Sequence, residues 1–225
     1  MRYKFYREHK YVSAAVNDLE RLIAKTDFTV PAEVEKVKIE FDALVQMLAG
    51  HAHYENETLH ELLRKKGSAV YKHVEADHIE YEQKIKDLED RLNKVINNTN
   101  PDDQVELGYQ FYLWYRKFTG DNLLHLHEEE TVILPELQRL YGDDVLSTVE
   151  FGSYRMMAPE DLIHMMEVLF PHMNPSDREA FLIDIKACDP AKFAIAWHGI
   201  KSKIAANERA HLAKKLDCSY TQSDI

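Results

Sequence analysis

The sequence predicts an all-α protein, built as an up-down-up-down four-helix bundle with additional C-terminal helices. Of the 225 residues, 45% are hydrophobic and only seven are Gly and seven Pro, which indicates a globular chain. Glu, Lys, Leu and Ala are frequent, and these residues favour helices. Apolar residues recur at steps of three and four along four long segments, the spacing of a buried helical face. Short loops between those segments make consecutive helices antiparallel neighbours.

The first two helices are predicted over residues 2–25 and 31–65, and Pro31 suits the start of the second. The buried face of the first helix is predicted to comprise Phe5, His9, Val12, Val16, Leu19 and Ile23. The buried face of the second is predicted to comprise Val37, Phe41, Leu44, Leu48, His51, Glu55, Leu59 and Leu62. Polar residues therefore occupy buried positions of both helices, and the spacing of three and four residues continues past them.

The third and fourth helices are predicted over residues 69–96 and 102–141, with a kink or local end at Pro135. The buried face of the third is predicted to comprise Tyr71, Val74, His78, Tyr81, Ile85, Leu88, Leu92 and Val95. The buried face of the fourth is predicted to comprise Phe111, Tyr115, Phe118, Asn122, His125, Glu129 and Val132. Residues 1–141 are therefore expected to form the bundle domain.

Residues 142–225 are expected to form a helical C-terminal extension of unknown role. Proline residues divide this part into shorter helices, predicted at about 143–156, 159–171, 175–187 and 190–215. The pairs Asn174-Pro175 and Asp189-Pro190 each combine a helix-capping side chain with a proline suited to the first helical turn.

The net charge and the hydropathy of the chain argue against two classes of partner, nucleic acid and membranes. A formal charge of −11 argues against nucleic acid, because phosphate binding needs a basic surface. The chain has no apolar run long enough to span a bilayer and no signal-peptide pattern at its N-terminus. Its two cysteines, Cys188 and Cys218, form no disulfide framework or metal motif. We therefore expect a cytoplasmic protein without a membrane partner.

Two His-x-x-x-Glu pairs stand out in the bundle segments: His51 with Glu55, and His125 with Glu129. A spacing of four residues puts both side chains on one face of a helix. A neutral imidazole and a carboxylate together suit iron, manganese or zinc. Two such helices facing each other predict a site for two metal ions.

His9 on the first helix and His78 on the third add two polar positions to the same pattern. At 1.5 Å per residue, these two and the four residues of the pairs lie roughly 15–20 Å from the same end of the bundle. Buried charge is costly, and metal ions would compensate it. Two divalent ions fit this donor set, with the four His as terminal ligands and Glu55 and Glu129 as bridges. Positions left open on a redox metal take water, dioxygen, nitric oxide or peroxide.

Each feature alone has an ordinary structural interpretation. A single His-x-x-x-Glu pair usually faces solvent, and a lone core His usually bonds a neighbour, so only the agreement of four helices favours metal binding. Glu75 lies one turn before His78, Tyr81 three residues after it, and Asn122 one turn before His125. These three are candidates to orient an imidazole, to act as a further ligand, or simply to pack.

The other histidines of the bundle are expected to lie off the metal face. His53 and His127 follow a candidate ligand by two residues, so they point roughly 200° away around the helix. His60 and His73 also fall off the predicted buried faces.

The pattern resembles the hemerythrin-like, or His-His-Glu cation-binding, family over roughly residues 1–140. The resemblance is carried by Glu8-His9, His51-x-x-x-Glu55, Asp77-His78 and His125-x-x-x-Glu129 with Pro135 after it. It implies a four-helix bundle around an oxo- or hydroxo-bridged non-haem di-iron centre. Members of the family carry oxygen, sense oxygen or iron, or act on nitric oxide and peroxide.

The sequence resembles some branches of the family more than others. Oxygen-carrying hemerythrins have a His four residues before the third-helix ligand, where this chain has Val74. Bacterial hemerythrin-like proteins, iron-sensing ubiquitin-ligase subunits and di-iron proteins linked to nitrosative-stress repair match better. The leading hypothesis is a protein with two iron ions (manganese or zinc also fit) that binds or senses dioxygen, nitric oxide or iron. The alternatives are an oxidoreductase acting on peroxide, nitric oxide or ferrous iron, and a helical interaction module with a structural metal. The oligomeric state stays open.

Overall fold

Helices make up almost all of the structure, a computed structural model that describes residues 3–218. Within that range there is no β-strand, which confirms the all-α prediction. The backbone packs into two compact units. We call residues 12–141 the bundle unit, and the described parts of residues 1–11 and 142–225 together the terminal unit. Among residues 3–218, no helix is both long enough and apolar enough to cross a bilayer.

The bundle unit is built from long helices, two of which are interrupted by a π-helical turn. Its α-helices are α1 (His9–Ala24, whose first turn precedes the unit), α2 (Pro31–Glu55), α3 (Glu61–Lys65), α4 (Val70–Asn97), α5 (Pro101–Glu128) and α6 (Leu134–Leu140). A π-helical turn over Asn56–His60 joins α2 to α3, and a second over Glu129–Ile133 joins α5 to α6. Four helical segments result, namely α1, α2–α3, α4 and α5–α6.

Local sequence explains where these helices begin. Pro31 and Pro101 lie in the first turns of α2 and α5, where a missing N–H leaves no helical hydrogen bond unmade. The side chain of Asn100 caps α5 by accepting a hydrogen bond from the backbone N–H of Asp102 at 3.1 Å. The predicted apolar faces then meet in one core, which includes Val16, Leu19, Val37, Phe41, Leu88, Leu92, Phe111 and Tyr115.

Side-chain pairs establish that α4 and α5 run antiparallel. Near the start of α4, His73 lies 2.8 Å from Glu128, at the end of α5. Further along α4, the guanidinium of Arg91 lies 4.0 Å from the ring centroid of Trp114, in the middle of α5. Residue numbers rise along one helix as they fall along the other, as the predicted up-down arrangement requires for these two helices.

The N-terminal end differs from the prediction of a helix over residues 2–25. α1 begins at His9, and residue 2 lies outside the described part of the chain. Tyr6 has a φ of 68°, a left-handed conformation that a continuous α-helix does not accommodate. Within the terminal unit, the hydroxyl of Tyr3 donates a hydrogen bond to Glu150 at 2.9 Å. Contacts of this kind hold the residues before α1 in a non-helical path.

The terminal unit contains the short helices expected after residue 142. They are α7 (Asp143–Met156), α8 (Pro159–Leu169), α9 (Pro175–Cys188), α10 (Pro190–Ile200) and α11 (Ala206–Lys215). The side chains of Asn174 and Asp189 cap α9 and α10 through backbone N–H groups, which confirms both capping predictions. The methionines at 165 and 166 pack in or against the core of this unit.

The last predicted helix, over residues 190–215, is in fact two helices. α10 ends at Ile200, a 3₁₀ turn covers Lys201–Lys203, and α11 begins at Ala206. The break turns the chain so that Leu212 and the residues beside it join the same core as α8, α9 and α10. Ile200 and Ile204 keep a helical step of four residues across the 3₁₀ turn, so their spacing did not reveal the break.

Candidate metal centre

The two His-x-x-x-Glu pairs lie where α2 and α5 give way to their π-helical turns. The Nε2 of His51 lies 3.5 Å from Glu55, which is the last residue of α2. The Nε2 of His125 lies 3.1 Å from Glu129, which is the first residue of the second π-helical turn. Both carboxylates are almost fully buried, with 1% and 0% exposure. The predicted pairing of each imidazole with its carboxylate is therefore present.

The π-helical turns change which residues face the core beyond each pair. One extra residue in a turn moves the buried face by one position. Leu63 is fully buried where the helical step predicted Leu62, and Ile133 is buried at 1% exposure where it predicted Val132. Val132 is 42% exposed. Those two predictions of buried positions were wrong because a uniform period of 3.6 was assumed.

His78, on α4, lies between the two carboxylates. Its Nε2 is 3.7 Å from Glu55 and 3.8 Å from Glu129. Both distances are too long for a hydrogen bond. Each instead suits a nitrogen and an oxygen that bind one metal ion at about 2.0–2.2 Å from it. His78 is 5% exposed, and neither of its ring nitrogens has a hydrogen-bond partner among the described residues.

Two overlapping groups of ligand atoms result. One atom each from Glu55, His78, His125 and Glu129 lies within 4.8 Å of all the others. His51 lies within the same distance of Glu55 and Glu129. The structure thus brings these five candidate ligands together, and both groups share the two carboxylates. That sharing is the arrangement a pair of carboxylate-bridged ions needs.

His9 is the first residue of α1 and belongs to the terminal unit. It is buried, at 2% exposure, and its ring stacks on that of Tyr6 with 4.5 Å between centroids. α1 continues without a break, and Val12 and Val16 follow His9 by three and seven residues on the same face. Both valines belong to the core of the bundle unit.

Tyr81 and Asn122 lie beside His125. The ring of Tyr81 stacks on that of His125, with 5.5 Å between centroids and 24° between planes. The Asn122 amide donates a hydrogen bond to the Tyr81 hydroxyl, and the Asn122 Oδ1 has no hydrogen-bond partner among the described residues. Burial raises the pKa of Tyr81 well above its usual value, so the phenol stays protonated. Both side chains are thus available to orient His125 or a bound molecule.

Glu75, the third residue considered for such a role, lies elsewhere. It is exposed, and its carboxylate accepts a hydrogen bond from the Tyr71 hydroxyl at 3.0 Å. Although it lies one turn before His78 along the helix, its side chain joins the solvent-facing side of α4. Nothing in these contacts relates Glu75 to the buried carboxylates.

His60 lies at the centre although the helical period placed it off the buried face. It is 2% exposed, and its ring lies edge-on to that of His78, with 4.7 Å between centroids. Its Nδ1 lies 3.0 Å from the Asn56 side-chain oxygen, and its Nε2 has no hydrogen-bond partner among the described residues. Burial lowers the pKa of His60 to about 3, so this imidazole is neutral at pH 7. His60 points inward because a π-helical turn ends at this residue. No feature of the sequence predicted that turn.

A cavity of about 270 Å³ opens onto the ligands between α2, α4 and α5. Its walls include the candidate ligands His51, Glu55, His78 and His125, with Tyr81 and Asn122. Apolar side chains supply much of the remainder, namely Val45, Leu48, Ile85 and Leu126. His53 also reaches this cavity, from an exposed position off the metal face, and His127 is exposed as predicted. The cavity gives a small molecule a route to the buried carboxylates.

The family model described as "Hemerythrin HHE cation binding domain" matches residues 1–137. No curated protein and no solved structure matched the chain.

Proposed function

Because the chain belongs to the hemerythrin family of HHE cation-binding domains, we propose that it is a non-haem di-iron protein that binds or senses a small ligand. The ligand is dioxygen or nitric oxide, or the sensed species is iron itself. The observation that carries the proposal is the position of Glu55 and Glu129, which belong to both groups of potential ligands. A carboxylate common to two donor groups is the natural bridge between two cations.

The donor set divides evenly between two ions. His78 and His125 would bind one ion, and His51 would bind the other, with Glu55 and Glu129 bridging both. We assign His9 to the second ion because Glu8-His9 resembles the first-helix His of the family, whose model matches residues 1–137. Four imidazoles and two shared carboxylates would leave coordination positions open for a small molecule. The open positions supply the ligand-binding chemistry when the ions are bound.

Iron is the metal we favour, and manganese or zinc would fit the same donors. Imidazole and carboxylate together are typical ligands of iron and manganese, and they also occur at zinc. None of the ligand residues is a Cys, so the site lacks the soft thiolates that characterise many structural zinc sites.

The residues around the proposed centre favour a small ligand over a larger substrate. Apolar side chains line much of the cavity of about 270 Å³. They limit the polar contacts that a larger substrate would need. The protonated phenol of Tyr81 lies in its wall beside His125 and would supply a hydrogen bond to a bound diatomic molecule.

The test is metal content and optical absorption of protein purified without added metal, before and after anaerobic reduction and re-exposure to air. We expect two irons per chain and near-ultraviolet charge-transfer absorption that bleaches on reduction. A stable oxygenated band on re-exposure supports a carrier or sensor. One zinc per chain, or no metal, would contradict the di-iron assignment.

A second candidate is an oxidoreductase that acts on peroxide, nitric oxide or ferrous iron at the same centre. The observation that favours it is the Tyr81 hydroxyl in the cavity wall, because a protonated phenol next to an open position is a possible proton donor. Rapid return of the oxidised spectrum with peroxide, slowed in Tyr81→Phe at unchanged iron content, would favour turnover. Equal rates in both proteins would favour binding without catalysis.

A further inference from the structure

A third group of potential ligands lies outside the buried centre, on the surface formed by α4 and α5. It comprises His73, Asp77 and Glu128, whose ligand atoms all lie within 4.8 Å of one another. The His73 Nε2 is 2.8 Å from Glu128 and 3.4 Å from Asp77. The side chains of these residues are between 31% and 58% exposed. No step of the proposed function uses them.

The types and positions of these residues suit a hard or borderline divalent cation. His73 and Asp77 are four residues apart and share one face of α4, and Glu128 reaches them from the last turn of α5. One imidazole and two carboxylates are ligands that manganese and ferrous iron accept. Because the group is partly open to solvent, water would complete the coordination and the ion would exchange readily.

One cavity is lined both by this surface group and by His125 of the proposed buried centre. It has a volume of about 230 Å³, and its walls include His73, Asp77 and Glu128 at the surface. The same cavity is lined by His125, a ligand of the proposed di-iron centre, and by Tyr81. An ion bound at the surface group would therefore lie in the same cavity as His125.

The charges around the cavity favour cations. Glu80 and Asp121 also line it, and the one lysine of its wall, Lys84, is held by both of these carboxylates at 2.9 Å. The formal charge of the whole chain is −11. A negative field raises the local concentration of cations and the rate at which they arrive.

We propose that His73, Asp77 and Glu128 form a surface site for a divalent cation, which loads the buried centre by way of His125 in the wall of the same cavity. The loading role rests on the proposed function, whereas the surface site itself does not. The two are therefore separable by experiment.

The test counts Mn²⁺ ions bound to the full-length, metal-free chain, by loss of the free-ion electron paramagnetic resonance signal. We expect three ions per chain for the natural protein and two for the double variant His73→Ala/Glu128→Gln. The matched control is His127→Ala/Glu89→Gln, which removes the same residue types at exposed positions of the same two helices and should bind three. A double variant of the centre, Glu55→Ala/Glu129→Ala, should retain the surface ion alone.

The loading role is tested by mixing metal-free protein with limiting ferrous iron in air and following the near-ultraviolet absorption. We expect the surface double variant to load about tenfold more slowly, because it loses a site that captures ions by electrostatic attraction, and to reach the same final absorption. Equal loading rates in the variant and the control would overturn the loading role.

The outcomes also separate this proposal from the di-iron assignment. Two Mn²⁺ ions in both the natural protein and the surface double variant would overturn the surface site and leave the buried centre standing. One ion in the natural protein, lost in the surface double variant, would support the surface site and contradict the di-iron centre.

Discussion

The chain buries carboxylates in both of its units, and their surroundings differ. In the terminal unit, Glu150 is 8% exposed and accepts hydrogen bonds from the hydroxyls of Tyr3 and Tyr154, both at 2.9 Å. The guanidinium of Arg7 lies 3.6 Å away and adds a positive charge. Protein groups alone supply the donors that a buried carboxylate needs, so this cluster has a structural role.

The bundle unit has a different set of neighbours around its carboxylates. Glu55 and Glu129 lie among the imidazoles of His51, His78 and His125. The His78 nitrogen lies 3.7–3.8 Å from both carboxylates, outside hydrogen-bonding range. A cation between these atoms would satisfy nitrogen and oxygen together. A buried carboxylate therefore indicates a metal site where its neighbours are potential metal ligands. Where its neighbours are hydrogen-bond donors, it indicates a structural role.

The sharpest test of this contrast is Glu129→Ala. It removes a carboxylate common to both groups of ligands, so we expect metal content to fall from two ions to one or none. Affinity should fall by more than the roughly 10–100-fold that follows loss of a residue that only supports a ligand. Elemental analysis after dialysis measures the change. Unchanged stoichiometry would overturn the ligand assignment.

The second test uses pH on the terminal unit. Burial raises the pKa of Glu150 from an ordinary value near 4.5 to about 7. The folded state therefore holds a proton that the unfolded state releases between those values, and the free energy of unfolding should fall as pH rises from about 4.5 to 7. The loss is on the order of 3 kcal/mol, because each unit of pKa corresponds to about 1.4 kcal/mol.

Denaturant unfolding of the metal-free protein across this pH range measures the effect. Glu150→Gln keeps the size of the side chain and cannot titrate, so the difference in slope between the two proteins isolates this group. Parallel pH profiles would show that the Glu150 carboxyl does not carry the proton.

The third test concerns His60, which lies edge-on to His78. We expect His60→Gln to weaken metal binding about tenfold, because residues that hold a ligand ring typically contribute 10–100-fold to affinity. Competition with a chelator of known affinity measures the change. Two ions should still bind at saturation, since His60 belongs to neither group of ligand atoms around the buried carboxylates. Loss of one ion at saturation would instead make His60 a ligand.

The smallest expected effect is that of His53→Ala. His53 is exposed and lies two residues after His51, so its removal should leave metal content and affinity unchanged. The same chelator competition serves as the measurement. A lost ion would mean that the register of α2 at the centre differs from the one described.

Much of the bundle could be predicted because burial follows the helical period over long stretches. Four apolar residues at helical spacing along α2 are buried, namely Val37, Phe41, Leu44 and Leu48. His51 and Glu55 continue the same spacing. The two His-x-x-x-Glu pairs end at Glu55, just before the first π-helical turn, and at Glu129, the first residue of the second, so the helical period still holds through both pairs. Leu62, Val132 and His60 lie within or beyond those turns, where an added residue shifts the face, and there the prediction failed.

The sequence by itself determined most of the helices, their apolar faces as far as the π-helical turns, and the two His-x-x-x-Glu pairs, since spacing along one helix is a local property. Only the tertiary structure decided what meets across helices. It placed His78 between two carboxylates, brought His60 beside His78, and gathered His73 and Glu128 on one surface. The helical period gives the face on which a side chain lies, but the residue that it meets depends on packing between segments far apart in the chain.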